Sequence, residues 1–98
     1  QVLINLVKNA LEAIGQTENG KIEIIGSVVD NVPVIEVIDN GPGIIPEAIN
    51  RIFVPFFTTK KTGSGIGLAL SRQIMQMHNG SLSVQSELGV KTMFTLRF

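Results

Sequence analysis

Cysteine is absent from the 98 residues, which excludes disulfide staples and thiolate metal sites and is compatible with a reducing compartment. A single histidine, His78, leaves too few imidazoles for a histidine-based zinc site. Charge of one sign is not in excess: eight basic and eight acidic residues cancel, so the footprint of a nucleic-acid binder or of a protein drawn to acidic membranes is missing. No apolar run approaches the roughly 20 residues of a membrane span, and no signal peptide is visible in these residues. Repeats and low-complexity tracts are lacking as well. What the chain does have is apolar material, 44% of its residues, enough for one core in one small domain.

Periodicity predicts helix, two strands, irregular loop, helix, two strands. The first helix runs from the N-terminus to Ile14 and stops at Gly15. Gln1 enters helical periodicity with no capping residue before it, which reads as a piece of a longer protein. Lys21 to Val29 and Val34 to Ile38 are rich in β-branched residues and flank an Asp30-Asn31 turn, with Pro33 just outside the second strand. The stretch from Asp39 to Ser64 is loop, save for a short helix from Pro46 to Ile52. Gly65 to His78 is the second long helix, with Ile66, Leu70, Ile74 and Met77 on one face and Asn79-Gly80 as its stop. Ser81 to Ser86 and Lys91 to Phe98 close the chain as strands. Two helices over an antiparallel-rich sheet make an α+β fold, a two-layer α/β sandwich.

Three patterns carry chemistry. In the first helix Asn5, Lys8, Asn9 and Glu12 share about a third of the circumference. Asparagine competes with the backbone for hydrogen bonds, so two in four turns ask for a reason. Amide carbonyls are hard, neutral oxygen ligands, and with a cation between them they suit magnesium bound to a polyphosphate. A solvated polar face explains the stripe equally well. The second pattern is Asp39-Asn40-Gly41-Pro42-Gly43, after an apolar strand. The Asp39 carboxylate could accept from an amino group such as that of adenine, and Gly41 and Gly43 let a flat ring approach the backbone. Plain turn chemistry is the alternative.

The third pattern, Gly63-Ser64-Gly65-Ile66-Gly67-Leu68, opens the second long helix, where bare N–H groups can hold phosphate. It is no P-loop, since no Gly-Lys-Ser/Thr follows, and Leu68 replaces the third glycine of a dinucleotide fingerprint. Lys60 and Lys61 add positive charge just before it. Between the glycine clusters, residues 52–60 hold three of the five phenylalanines, a hydrophobic anchor from which a loop over a nucleotide could hinge. His78, in the last helical turn with no acidic neighbour, reads as a C-terminal complement to the helix dipole. Arg51 and Arg72 read as surface or ion-pairing residues.

Jointly these stretches resemble the catalytic, ATP-binding domain of bacterial sensor histidine kinases, within the superfamily of the Bergerat ATP-binding fold. Asn5 to Ala10 resembles the N box, Asp39 to Gly43 the first glycine box, Phe53 to Lys60 the F box, and Gly63 to Leu68 the second glycine box. The tail from His78 through Phe94 is similar to the family's closing strands. Residues 55–60 are most similar to kinases of the nitrogen-regulation type.

The resemblance implies ATP and Mg2+ as cofactors. It implies that Asn9 ligates the metal and that Asn5 and Lys8 face the phosphates, the pair closest to catalysis. Asp39 would bind the adenine amino group with Thr92 assisting through water. Gly41 and Gly43 would shape the base pocket, and Lys60, Gly63, Gly65, Gly67 and Leu68 would meet the phosphates. The reaction implied is γ-phosphoryl transfer to a histidine on a separate dimerisation domain, with a response regulator downstream, a homodimeric parent and a cytoplasmic location, whether or not the parent is membrane-anchored. Hydrolytic relatives place a glutamate where this chain has Asn5, and an amide is no general base, so transfer is favoured over hydrolysis. Glu12, on the same stripe, reads as solvent-facing.

Two departures stand out. Residues 1–98 lack the strand sequence that the family carries before the N box, which implies an N-terminally truncated domain, and Lys91 stands where glycine is common. The competing readings are an anti-sigma-factor-type serine kinase and a nucleotide-binding module without catalysis.

Overall fold

Helix α1 (Val2–Ala13) buries Val2, Leu6 and Ala10, which recur every fourth residue and form one line along the helix. A computed structural model describes residues 1–15, 17–55 and 67–98. Strands β1 (Ile22–Val29) and β2 (Val32–Asp39) form a hairpin, followed by the short helix α2 (Pro46–Ile49), helix α3 (Gly67–Met77), and strands β3 (Ser81–Glu87) and β4 (Lys91–Arg97). The four strands form one antiparallel sheet in the order β1-β2-β4-β3. Both long helices lie on one face of it, so the two-layer α+β sandwich expected from periodicity is the fold observed.

The core lies between the layers. Leu6 and Ala10 of α1 and Met75 of α3 meet Val37, Phe94, Leu96 and Leu82 of the sheet. Removing a side chain such as Leu6, Leu96 or Val37 from water contributes about 1.5–3 kcal/mol. Phe53 packs edge-on to Phe94 at 6.4 Å between ring centroids, and the Arg72 guanidinium lies over the Phe53 ring at 4.9 Å. The expected hydrophobic anchor therefore exists at Phe53. Arg72 is exposed, in keeping with the surface reading, and is a cation–π partner of Phe53. Phe56 and Phe57 lie outside the described residues.

Several boundaries and one face differ from expectation. Strand β2 begins at Val32 and includes Pro33, because a two-residue turn with Asp30 and Asn31 at φ 52° and 65° pairs Val29 directly with Val32. Pro33 is tolerated because its missing N–H faces the end of β4, where its carbonyl still accepts the Phe98 N–H at 3.0 Å. Helix α2 ends at Ile49, three residues short, and residues 51–55 continue as turns.

On α3 the buried line runs through Ser71 and Met75, with Ile74 partly buried against the core, while Leu70 and Met77 are 43% and 73% exposed and Ile66 lies outside the described residues. Ser71 is small enough to let α1 approach, and that contact sets the rotation of the helix. The α3 terminus is closed by Asn79 at φ 61° and a Gly80 N–H bond to the Met75 carbonyl at 2.8 Å, just past His78. Lys91, placed in doubt by its departure from glycine, is an exposed strand residue beside an intact turn in which Gly89 adopts φ 78°. No helix among the described residues is long and apolar enough to cross a membrane.

Candidate nucleotide site

The register of the sheet assembles a polar row at one end of an otherwise apolar inner face. Inward residues alternate along each strand, so Val37, Phe94 and Val84 stand in one row, and the next holds Asp39, Thr92 and Ser86. Asp39 and Thr92, far apart in the chain, are direct cross-strand partners and are 3% and 5% exposed. Burial pushes the Asp39 carboxyl above its ordinary value, and a hydrogen bond from the Gly41 N–H, at 2.9 Å to Oδ1, acts in the opposite direction.

The glycine loop after β2 is held in place from three sides. Asn40 accepts the Lys21 N–H at 2.6 Å and donates to the Asn19 carbonyl at 2.9 Å. The Pro42 carbonyl accepts the Gly89 N–H at 2.7 Å, and Ser86 Oγ accepts the Ile44 N–H at 2.7 Å. Gly43 adopts φ 80°, and a Cβ there would come within 2.8 Å of the Glu87 carbonyl. Gly43→Ala is therefore expected to destabilise the fold by about 2–3 kcal/mol, combining the left-handed penalty with a backbone clash. Urea denaturation reads this directly, and an unchanged midpoint would contradict the loop geometry.

Gly41 has a reason beyond admitting a flat ring. A Cβ on it would meet both the Ala13 carbonyl of α1 and Asp39 Oδ1 at 2.9 Å. The C-terminal end of α1 thus rests on the loop beside the Asp39 carboxylate. Asn5, Asn9 and Ala13 are four residues apart in succession and lie on one line along α1. At the far end of that line the Asn5 side chain donates from Nδ2 to Ser71 Oγ of α3 at 3.2 Å. The donor end of the amide is turned to α3, and its carbonyl is the end that suits a cation. Ser71 is fully buried, so Ser71→Ala is expected to cost about 1 kcal/mol through the lost bond, measurable by chemical denaturation.

The stripe therefore spans from α3 to the glycine loop after β2, with the half-buried Asn9 midway and Lys8 and Glu12 exposed beside it. Gly67 and Leu68 form the first turn of α3 as described. Lys60, Gly63 and Gly65 lie outside the described residues. Within those described, Asp39, Gly41 and Thr92 lie together beside the end of α1, Gly43 follows in the same loop, and Asn5 and Asn9 lie farther along the helix. An open cleft of about 510 Å³, lined by Phe53, Leu70, Arg72 and Gln76, involves none of them. Ser71 and Ser86 escaped the sequence reading. Ser86 continues the inward series Leu82, Val84, a signal that could have revealed it.

The family model described as histidine kinase-, DNA gyrase B- and HSP90-like ATPase matches residues 1–98. The chain belongs to this family. The sensor histidine kinase ZraS of Salmonella typhimurium is 43% identical over 96 residues, covering 98% of this chain and 20% of ZraS. The solved catalytic domain of the histidine kinase ThkA, in a nucleotide-free form, superposes with a TM-score of 0.84 at 38% identity, covering 100% of this chain and 63% of that one. Full-length ShkA in complex with AMPPNP superposes with a TM-score of 0.83 at 32% identity, covering 98% of this chain and 20% of ShkA. The chain thus spans about a fifth of the length of the curated relatives it matches. It has the Bergerat fold and is an ATP-binding catalytic domain of the histidine-kinase kind.

Proposed function

We propose that residues 1–98 act as one ATP-binding unit that clasps ATP and Mg2+ along the line from Asp39 to α3 and supplies the γ-phosphoryl group to a histidine on a separate dimerisation domain. The observation that carries this reading is the continuous polar path formed by Asp39 and Thr92, the α1 terminus over Gly41, Asn9, and Asn5 against Ser71. At the base end, the Asp39 carboxylate accepts from the adenine amino group and Thr92 assists through water, while Gly41 and Gly43 shape the pocket. At the phosphate end, the neutral amide oxygens of Asn5 and Asn9 fit a magnesium ion bound chiefly by phosphates and water, with Asn9 as the ligand. Lys8 adds positive charge there, and Lys60, Gly63, Gly65, Gly67 and Leu68 complete the phosphate contacts. The metal, when bound, neutralises phosphate charge. The chain's own part is positioning.

In the transfer, a histidine imidazole nitrogen forms a bond to the γ phosphorus as the bond to the β,γ-bridging oxygen breaks, and ADP leaves. Asn5 cannot take a proton from water near neutral pH, which favours a protein nucleophile over hydrolysis. That ShkA is solved with AMPPNP and that ZraS is named a sensor histidine kinase both support this reading. The phosphoacceptor domain belongs to a homodimeric parent, a response regulator receives the phosphoryl group, and the unit works in the cytoplasm, where ATP is found. Incubating γ-labelled ATP with this chain and the parent's histidine domain tests the proposal. An acid-labile, base-stable phosphoprotein is expected; tight ATP binding without a labelled histidine would make the chain a binding module only.

A further inference from the structure

The third member of the polar row, Ser86, has no role in the nucleotide reading so far, yet its hydroxyl is the most heavily used in the described structure. Ser86 Oγ lies 2.7 Å from the Ile44 nitrogen, 3.1 Å from the Lys91 carbonyl oxygen and 3.3 Å from Thr92 Oγ1. A serine hydroxyl has one hydrogen and two lone pairs. The Lys91 carbonyl can only accept, so the Ser86 hydrogen goes there. The backbone N–H of Ile44 can only donate, so it takes one lone pair. The second lone pair then receives the Thr92 hydroxyl hydrogen, and all three valences are spent. Thr92, its hydrogen committed to Ser86, keeps only lone pairs for the space beside Asp39. Asp39 Oδ1 already accepts the Gly41 N–H, and its other oxygen is likewise an acceptor.

We infer that Ser86 is a positioning and specificity-determining residue: it fixes the Thr92 hydroxyl as an acceptor and ties the glycine loop to β3, so that Asp39 offers the base only acceptors and the water held by Thr92 is turned to donate. Such an arrangement takes an amino group, as in adenine, and repels a 6-oxo group, as in hypoxanthine. The inference rests on the adenine-nucleotide reading and adds the reason for its selectivity. Without the Ser86 hydroxyl, the Thr92 hydroxyl turns freely and can donate, and the Ile44 N–H loses its anchor.

Calorimetric titration of the full-length protein with ATP–Mg2+ and with ITP–Mg2+ tests it, using the parent protein, Ser86→Ala and Ser86→Thr. For Ser86→Ala, the affinity for ATP is expected to fall by about three- to tenfold, the worth of one net hydrogen bond, while the affinity for ITP holds or rises. The ATP:ITP preference therefore narrows, a readout that simple loosening of the sheet does not move. Ser86→Thr, which keeps the hydroxyl, is expected to restore the parental preference. Equal losses for both nucleotides, or no loss in Ser86→Ala, would overturn the inference while leaving ATP binding standing. Absence of ATP binding in the parent protein would instead overturn the nucleotide reading, and the inference with it.

Discussion

Asp39→Asn is expected to weaken ATP binding by at least about 100-fold while leaving the unliganded protein no less stable at neutral pH. The carboxylate has two acceptor oxygens: Oδ1 takes the Gly41 N–H at 2.9 Å, and the other is left for the base. An amide has one acceptor. Turned to satisfy Gly41, it points its NH2 at the adenine amino group, donor against donor. A lost hydrogen bond to a charged group is worth about 1.5–3 kcal/mol, and the unpaired donors add to it; about 1.4 kcal/mol is tenfold in affinity.

Stability moves the other way. Burial raises the Asp39 pKa above 3.8 despite the Gly41 hydrogen bond, so the folded protein holds this proton more tightly than the unfolded chain. The ionised carboxylate therefore costs stability above its folded pKa, and the cost fades as pH falls through that pKa toward 3.8. Asparagine carries no such cost, so the variant's stability is expected to depend less on pH in that window. Calorimetry with ATP and denaturation between pH 4 and 7 (about the range of interest) separate the two effects. Undiminished ATP affinity would remove Asp39 from the base pocket.

Asn9→Asp is expected to reduce histidine phosphorylation by about two to three powers of ten without weakening adenosine binding. The substitution changes one atom and one charge. Asn9 stands on the line between the base loop and α3, where the reading above places the triphosphate, and a carboxylate there faces phosphate oxygens. Two like charges about 4 Å apart repel by about 4 kcal/mol at the effective dielectric of a protein surface, close to a thousandfold. Adenosine lacks phosphates and meets only the Asp39 end, so its affinity serves as the internal control. Asn9→Ala removes the oxygen donor altogether, and parental phosphorylation in that variant would exclude Asn9 as metal ligand.

The local patterns were legible because they depend on near neighbours. The first helix, the β-branched runs and the Asp30-Asn31 turn each follow from a few adjacent side chains and form the expected elements, with strand ends shifted by one or two residues and with Leu3 and Leu11 of the helix exposed. The site was legible as types of residue, not as an arrangement. That Asp39 stands beside Thr92 is a fact of sheet register, settled by pairing across the whole core. The misjudged face of α3 has a similar origin. Ser71 looks like a solvent residue in sequence, yet it is buried against Asn5, 66 positions away. Pro33 reads as lying outside its strand, yet it pairs with Val28 and its carbonyl accepts the Phe98 N–H, which only the assembled sheet reveals.

The row formed by Asp39, Thr92 and Ser86 draws on β2, β4 and β3, and β4 is made after the other two. No fragment of the emerging polypeptide owns this feature, and a partially opened sheet loses it. Adenine nucleotide, once captured, thus acts as a folding partner selective for the finished domain, favouring it by about 2.7 kcal/mol when its free concentration is a hundred times the dissociation constant. The supply of adenine nucleotide would then bear on the lifetime of the folded domain.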